Sequence, residues 1–454
     1  MNPGNFDALK SEGDINLTSL RSAWLGQNTD EETKYWLEED AKYFLHQSLS
    51  TPCLDVLKSC EGATITNLQG QARFDFHGNN VHQVGFANPR VIEAVIRQLK
   101  ELPFCSRRYT NIPAIQLAKK LSELAPGSLN KILLAPGGTS AIGMALKLAR
   151  VVTGRHKTIS MWESFHGASL DAISIGGERA FRSGIGPLLP GCQHVPPPDP
   201  RHCPWHCQNV CALHCADYVE YVLEKEGDVA AVIAETTRST PFIPPPEYWQ
   251  RVRAACDKHG ALLILDEIPT CLGRTGKMFV CEHYGIVPDM LVIGKGLGGG
   301  IFPLAALIAR EDLDRAGEKS LGHYTHEKNP TACAAALATI EFIEQTQLLQ
   351  HVRDLGQYAL DRLRAMAAQF PLIGDVRGLG LLLGVELFRD GNPAQRASAE
   401  AEQIMYEALT RGLNFKVTMG NILTLTPALT ITREEMDQAL SILAECFQAI
   451  SGRV

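Results

Sequence analysis

Short apolar runs alternate with amphipathic segments through the middle of the chain. The segments PRVIEAVIRQLKEL and IQLAKKLSELA carry apolar residues at helical spacing. The apolar runs lack polar alternation, which predicts strands that are buried on both faces. These runs are KILLAP, KTISMW, VAAVIAE, ALLILDE, DMLVIG and LAALIA. Because strands that alternate with helices usually form a parallel sheet, the pattern predicts an α/β domain.

The two ends of the chain carry other patterns. Thr29 or Asp30 is suited to cap a helix in TDEETKYWLEEDAKYFL, and residues 13–60 are predicted to be helical. TITNLQGQARFDF predicts two short strands around a turn that contains glycine. A long helical stretch and then helix, strand and helix follow the last apolar run. We therefore expect a large domain and a smaller α+β domain. The expected parts are 1–80 (contributing to the smaller domain), 81–330 (the large domain) and 331–454 (the smaller domain).

Composition excludes several classes of protein. The 454 residues include 43 Lys and Arg against 50 Asp and Glu, which gives a formal charge of −7. Such an acidic chain favours neither nucleic acid nor an anionic membrane as a partner. No apolar run has the length of a transmembrane helix, and the N-terminus lacks the basic and apolar regions of a signal peptide. We expect a soluble, cytoplasmic protein.

Four cysteines lie close together in HCPWHCQNVCALHC. Cys203, Cys207, Cys211 and Cys215 are spaced by four residues and could hold zinc or an iron–sulfur cluster. The spacing is not that of the usual CxxC pair, and Pro204 interrupts its start. The alternative is a loop that leads into a helix with semi-buried cysteines. We assign no metal site to the chain.

Polar residues follow three of the predicted strands. VAAVIAE ends in Glu235, ALLILDE ends in Asp266 and Glu267, and Lys295 follows DMLVIG. Because ligands bind beyond the carboxyl ends of the strands in open α/β sheets, we expect these residues at one rim. A lysine is rarely buried unless it is paired or reacts, so Lys295 is a candidate nucleophile or base.

An acid and a lysine at one rim suit pyridoxal 5′-phosphate (PLP). The lysine bonds covalently with the cofactor aldehyde, and a buried carboxylate such as Asp266 keeps the pyridine nitrogen protonated. Gly138 and Thr139 open a predicted helix, where free N–H groups favour a phosphate. Phe165 in SMWESFHGAS is suited to stacking on the cofactor ring, although an ordinary core position is the alternative.

Several stretches together carry a family resemblance. In chain order they are GGTSAIGMALKLAR, SFHGAS, VIAET, LLILDEIPTCLGRTGKMFVCEHYGIVPDMLVIGKGLGGG and YTHEKNPTACAAALA. They resemble the class III aminotransferases, which are fold-type I PLP enzymes, from about residue 50 to the end of the chain. The resemblance implies an α/β PLP-dependent transferase fold. It consists of a large domain with a mostly parallel central sheet and a smaller α+β domain.

The resemblance also implies roles for single residues. Lys295 would hold the cofactor and move protons, and Asp266 would pair with the pyridine nitrogen. Thr325 would reach the phosphate of the neighbouring subunit's cofactor, which implies a homodimer with sites at the subunit interface. Ile268, a valine in most relatives, would cover the ring face opposite Phe165. The implied cofactor-binding residues are Gly138, Thr139, Phe165, Glu235, Asp266, Ile268, Lys295 and Thr325.

Two positions depart from the family pattern. Pro269 stands where relatives often have a glutamine that contacts a cofactor oxygen, and proline cannot donate that bond. Thr424, in NILTLTPALTIT, occupies the position of an arginine that grips the carboxylate of an amino or keto acid. A threonine supplies no charge, which argues against a keto-acid-dependent aminotransferase. Some amine aminotransferases place this arginine elsewhere, on a mobile loop.

A second resemblance suggests elimination chemistry. DFHGNNVHQVGFANPRVIEAVIRQL and SRRYTN resemble segments of the phospho-lyases that act on ethanolamine phosphate. With the N-terminal stretch included, the pattern resembles the ammonia-lyases of phosphonate catabolism. We therefore expect an ammonia-lyase that acts on (R)-1-hydroxy-2-aminoethylphosphonate, a small aminophosphonate, and yields phosphonoacetaldehyde. Lys295 or Tyr109 would assist the leaving hydroxyl. Residues predicted to bind the substrate are Arg107, Arg108, Tyr109, Arg238 and Lys328.

Three alternatives stay open at this point. An ω-aminotransferase would need a site that accepts both an amine and a keto acid. A phospho-lyase acting on an amino-alcohol phosphate such as ethanolamine phosphate would share the early steps and differ in the leaving group. A PLP-binding scaffold without catalysis would keep the fold but would not need the pairing of Lys295 with Asp266.

Overall fold

The computed structural model describes residues 18–47, 53–207 and 211–451. The helices are α1 Ser19–Asn28, α2 Glu31–Tyr43, α3 Pro89–Glu101, α4 Ile112–Leu124, α5 Gly138–Thr153, α6 Leu170–Ile175, α7 Arg179–Arg182, α8 His214–Glu226, α9 Tyr248–His259, α10 Pro330–Gln345, α11 Leu348–Ala367, α12 Ser398–Arg411 and α13 Arg433–Ser451. The strands are β1 Leu57–Glu61, β2 Thr64–Asn67, β3 Ala72–Asp75, β4 Leu129–Ala135, β5 Lys157–Met161, β6 Cys192–Val195, β7 Val229–Glu235, β8 Leu262–Asp266, β9 Met290–Ile293, β10 Ala305–Arg310, β11 Ile373–Leu379, β12 Leu382–Leu387, β13 Leu413–Asn414, β14 Lys416–Thr418 and β15 Ile422–Leu425. Short 3₁₀ helices span Gly78–Asn80, Val280–His283, Lys295–Gly298, Glu311–Leu313 and Arg389–Gly391.

Compact packing divides the chain into two units. The larger unit comprises Asn79–Val84 and Asn88–Val352. The smaller unit comprises the described parts of Met1–Gly78, Gly85–Ala87 and Arg353–Val454. The sequence pattern sets a boundary at residue 330, just before α10. In the structure α10 packs on α3 and α4, which keeps it in the larger unit.

A seven-stranded sheet forms the centre of the larger unit. Its strand order is β4-β10-β9-β8-β7-β5-β6. The strands β9, β8, β7, β5 and β6 are parallel to one another, whereas β10 is antiparallel to both β9 and β4. The predicted α/β fold with a mostly parallel sheet is therefore confirmed. The strand β10 reverses because its short connection from β9 contains the 3₁₀ helix Lys295–Gly298 and no crossover helix, and every residue of that connection is described.

The core of this unit lies between the sheet and α5. One face of α5 is small and fully buried, so the helix can approach the strands closely. The strands supply larger aliphatic side chains on the same layer. Residues of this cluster include Ala141, Ala145, Ala149, Ile233, Ile264, Val292 and Leu307. This packing fixes the start of α5 beside the carboxyl ends of the strands.

The smaller unit has an α+β architecture. It contains one sheet of order β1-β2-β3-β13 and another of order β11-β12-β15-β14. The helices α12 and α13 pack on each other, and α1 packs on α12. The two short strands predicted from TITNLQGQARFDF are present as β2 and β3, which pair in antiparallel fashion.

The N-terminal prediction is correct for two helices and wrong for a strand. Asp30 caps α2, because its Oδ1 accepts the Thr33 N–H at 2.8 Å. Leu57–Glu61, however, is the strand β1, which pairs with β2. All five residues of β1 are exposed, so no apolar alternation marks the strand in the sequence. The helix predictions for residues 13–17 and 48–52 lie outside the described residues.

The described residues contain no helix that is long and apolar enough to cross a membrane. Cys203, Cys207 and Cys211 are partly exposed before α8, whereas Cys215 is buried within it. Burial raises the pKa of the Cys215 thiol to about 12. Among the described residues, no group of three or more His, Cys, Asp or Glu side chains is arranged to hold a metal ion.

Candidate active site

Three polar residues lie near one another at the carboxyl edge of the central sheet. Glu235 and Asp266 end β7 and β8 and are direct partners in the register of these parallel strands. Asp266 also lies beside Val292 of β9, three residues before Lys295. The structure therefore places both acids and the lysine at one rim, as the strand pattern predicts.

Lys295 has an unusual backbone conformation. Its φ is 46°, in the left-handed region, and it opens the 3₁₀ helix that follows β9. A residue other than glycine persists there only where its surroundings hold it. The next residue is tightly packed, since a Cβ on Gly296 would lie 1.9 Å from Oε1 of Gln83. The half-buried lysine is thus presented by a closely packed loop.

Asp266 is held by two contacts. Its Oδ2 lies 2.7 Å from Nδ1 of His166, and its Oδ1 accepts the Ile268 N–H at 3.0 Å. The carboxylate is 2% exposed and the His166 side chain 0% exposed. A buried carboxylate with its orientation fixed in this way can keep a partner nitrogen protonated. The sequence pattern assigns His166 no role, although His166 directly follows the candidate ring-stacking residue Phe165.

The turn from β4 into α5 forms a cradle for an anion. Among the described residues no side chain caps the start of α5, where Gly137 is the N-cap. A Cβ on Gly137 would meet nothing within 4 Å, so space lies open over this backbone. A Cβ on Gly138 would lie 2.7 Å from Cδ1 of Ile268, which shows that these two predicted residues touch. The uncapped N–H groups and the helix dipole suit a phosphate.

The loop after β5 joins the cradle to the acids. A Cβ on Gly167 would lie 2.2 Å from Oγ1 of Thr139, so this loop packs on the start of α5. The Phe165 N–H donates to Oε2 of Glu235 at 3.4 Å. The Phe165 ring lies 4.5 Å from the ring of Phe181, centroid to centroid. The predicted cofactor residues of the rim, the cradle and this loop are therefore brought together.

Glu267 serves the architecture of the rim rather than its chemistry. Its carboxylate accepts the N–H groups of Val280 at 2.6 Å and Cys281 at 2.8 Å, and the Thr236 hydroxyl at 2.8 Å. Complete burial raises the pKa of Glu267 to about 7. These bonds tie the end of β8 to the 3₁₀ helix Val280–His283.

The predicted substrate residues lie in different surroundings. Arg107, Arg108 and Tyr109 are exposed in the segment between α3 and α4, and Tyr109 is 67% exposed. Lys328 and Thr325 are exposed in the segment before α10. Arg238 alone is buried near the rim.

Two positions depart from the family pattern, and both are buried. Pro269 follows Ile268 at the carboxyl end of β8, without a side-chain donor. Thr424, in the smaller unit, is 0% exposed, and its hydroxyl lies 2.7 Å from that of Thr418 on the adjacent strand. Its register partner on that strand is Lys416, which is also buried. The hydroxyl of Thr424 is thus hydrogen-bonded, and the residue itself supplies no charge.

The family model described as Aminotransferase class-III matches residues 46–447. The chain belongs to the class III aminotransferase family. Solved structures of this kind share its fold. An aminotransferase of Bacillus anthracis has a TM-score of 0.86 at 28% identity, covering 93% of this chain and 99% of its own. A PLP-bound amine transaminase of an uncultivated Pseudomonas species has a TM-score of 0.85 at 30% identity, covering 90% and 98% of the two chains.

Relatives within the class III aminotransferase family carry the names of different activities. An (R)-1-hydroxy-2-aminoethylphosphonate ammonia-lyase of Vibrio splendidus is 48% identical, covering 97% of this chain and 95% of its own. A leucine/methionine racemase of Thermococcus litoralis is 35% identical, covering 92% and 96%. Membership of the family therefore sets the fold and the kind of cofactor site, while the reaction depends on further residues.

Proposed function

We propose that the chain is a PLP-dependent ammonia-lyase that converts (R)-1-hydroxy-2-aminoethylphosphonate into phosphonoacetaldehyde and ammonia. The similarity to the Vibrio splendidus lyase, 48% identity over 97% of this chain, carries the proposal. The uncharged Thr424 supports it, because an elimination needs no arginine for the carboxylate of a keto acid.

The residues of the rim fit PLP. The uncapped start of α5 with Gly138 and Thr139 would hold the phosphate, Asp266 would face the pyridine nitrogen, and Lys295 would hold the aldehyde carbon. When bound, PLP supplies an electron sink for the carbon next to the substrate nitrogen. Phe165 and Ile268 would enclose the ring from its two faces.

Lys295 and Asp266 have complementary tasks in this reaction. Lys295 would take a proton from the carbon that bears the substrate nitrogen. Asp266, oriented by His166, would keep a proton at the ring nitrogen and so help to stabilise the negative charge left by the deprotonated carbon. The same Lys295 ammonium would then give a proton to the leaving hydroxyl, and Tyr109 is the other candidate donor.

The reaction balances as an elimination followed by hydrolysis. The carbon that bears nitrogen loses a proton, and the neighbouring carbon loses its hydroxyl as water. The released enamine takes up one water and gives phosphonoacetaldehyde and ammonia. Water is therefore lost and regained, and no keto acid is consumed.

The proposal includes a phosphonate site and a homodimer. Arg107 and Arg108 remain the predicted phosphonate ligands, and they carry positive charge on an exposed segment. The larger unit exposes large apolar side chains on and around α3 and α4, which supports a partner subunit there. They include Ile96, Leu99, Phe104, Ile112 and Ile115. We also propose a cytoplasmic location, which the free thiols of all thirteen cysteines support.

Phosphorus NMR of the reaction products tests this proposal. Holoenzyme with (R)-1-hydroxy-2-aminoethylphosphonate and no keto acid should yield the phosphonoacetaldehyde signal and no inorganic phosphate. Ethanolamine phosphate serves as the comparison substrate, because a phospho-lyase would release inorganic phosphate from it. Lys295→Ala should abolish turnover. Release of phosphate from ethanolamine phosphate, with the phosphonate untouched, would replace this proposal by the phospho-lyase.

A further inference from the structure

A buried arginine joins two acids behind the Phe165 loop. The Arg238 Nε–H donates to Oε2 of Glu235 at 3.1 Å, and an Nη2–H donates to Oε1 of Glu178 at 3.0 Å. The three side chains are 7%, 4% and 1% exposed, respectively. Charged contacts with so little water are strong, and each group depends on the others to stay buried.

Both acids are also attached to the Phe165 loop. Oε2 of Glu235 accepts the Phe165 N–H, and the Glu178 N–H donates to the Ser164 carbonyl at 3.3 Å. Glu178 precedes α7, and Phe181 of α7 places its ring against that of Phe165. Arg238 therefore links Glu235 and Glu178, the two acids that hydrogen-bond to the backbone of the loop that carries Phe165.

The charges argue against a phosphonate on Arg238. One guanidinium between two carboxylates gives the three groups a formal charge of −1. A dianionic phosphonate at this arginine would meet both carboxylates at close range, in a place without water to screen them. The hydrogen bonds of Arg238 to two acids give the guanidinium a structural purpose instead.

We infer that Arg238 is a positioning residue for the cofactor rather than a ligand of the substrate. It acts through Glu235 and Glu178, which fix the backbone of Ser164 and Phe165 and so the ring that covers one face of PLP. This inference rests on the proposed PLP site but not on the identity of the substrate. Arginine is required because its planar fork reaches both acids at once, which a lysine cannot do.

Arg238→Lys tests the inference, since it keeps the charge and removes the double contact. We expect a PLP dissociation constant about tenfold higher and a changed circular dichroism of the bound cofactor. We expect kcat to fall while the KM for the aminophosphonate stays within about twofold, because no substrate contact is lost. The matched control is Arg253→Lys. Arg253 also bridges two acids, Asp289 and Asp257, but does so near the amino end of β9.

The outcomes separate three roles. A higher PLP dissociation constant and altered dichroism in Arg238→Lys, with neither change in Arg253→Lys, would support positioning. A raised KM with normal PLP binding would overturn it and make Arg238 a substrate ligand. If Arg238→Lys and Arg253→Lys lowered the Tm equally and both bound PLP normally, the inference would also be overturned, and the role of Arg238 would be purely structural. The PLP measurements hold whatever substrate the enzyme uses, so failure of the proposed reaction is recognised separately.

Glu178→Ala provides a second route if Arg238→Lys does not fold. It removes the far acid and leaves the pairing of Arg238 with Glu235, so the same change in cofactor dichroism should appear. When Arg238→Lys and Glu178→Ala are combined, their effects on PLP binding should not add, because both substitutions break the same chain of contacts to Phe165. Fully additive effects on PLP binding would contradict a shared action through the Phe165 loop.

Discussion

At the scale of single residues, the contact between Asp266 and His166 orients the carboxylate that is proposed to face the pyridine nitrogen of PLP. Asp266 was predictable, because it ends a buried strand and precedes a lysine at the next strand end. Its partner was not, since His166 lies 100 residues earlier in the chain and a pairing over that distance requires the folded structure. Arg238 shows the same limit: the sequence predicts a substrate ligand from a basic residue after a strand end, whereas its two acidic partners are known only from the folded structure.

His166→Ala tests the residue-scale account. Loss of a hydrogen bond to a buried charged group costs about 1.5–3 kcal/mol, so kcat/KM should fall by about tenfold to a hundredfold. The absorbance of bound PLP should also change, because the orientation of Asp266 is released. His202→Ala is the control, since His202 makes a similar 2.7 Å contact with Asp199 in the partly exposed segment after β6. Unchanged activity in His166→Ala would contradict the account.

At the scale of elements, local patterns located most strands and helices but not their partners. The six apolar runs correspond to β4, β5, β7, β8, β9 and β10. All but β4 are buried along most of their length, as expected of strands that are covered on both faces, whereas β4 is partly exposed. The sequence does not predict the strand β1, because its residues are all exposed and it is stabilised by its pairing with β2. The reversed direction of β10 likewise depends on a short connection rather than on composition.

Glu267 gives the rim a pH dependence that belongs to this scale. Burial raises its pKa to about 7 from an ordinary value of 4.5. Between pH 4.5 and about 7, the Glu267 carboxyl is ionised in the unfolded chain but stays protonated in the folded chain. The stability that Glu267 contributes is therefore full below pH 4.5 and is lost as the pH rises through about 7. The loss is on the order of 3 kcal/mol.

Comparison with Glu267→Gln isolates this effect. The variant cannot ionise there, so the Tm difference, wild type minus variant, should decrease from about pH 5 to about pH 8. The variant should also be less stable at the acidic end, because its amide nitrogen would face an N–H of Val280 or Cys281. Parallel Tm profiles of the two proteins across this range would show that Glu267 does not titrate as described.

At the scale of the whole molecule, the sequence indicated the fold class and the family but not the limits of the two units. The α/β class followed from alternating patterns, and the family followed from motifs that lie close together in the structure. The boundary between the two units did not follow from the sequence. The sequence predicts α10 only as a further helix, and its packing on α3 and α4 is known only from the structure. The substrate residues stay predictions, since the exposed positions of Arg107 and Arg108 do not show what these arginines bind.

The proposed homodimer has its own test. Sedimentation should give about twice the 49.7 kDa mass of the chain. Thr325→Ala should weaken PLP binding without changing that mass, because Thr325 is exposed within its own chain and is proposed to act on the partner's cofactor. Ser320→Ala is a control, since its hydroxyl bonds within its own segment, to the Gly322 carbonyl. A monomer that binds PLP fully would contradict the shared site.

The central claim is that this class III enzyme eliminates ammonia and does not transfer the amino group. The most direct measurement is the amount of ammonia released per active site from (R)-1-hydroxy-2-aminoethylphosphonate, followed over time without any keto acid. The account predicts steady release far beyond one equivalent, with matching phosphonoacetaldehyde. Amine consumption that stops at one equivalent without free ammonia, and resumes when pyruvate is added, would contradict it and identify an aminotransferase.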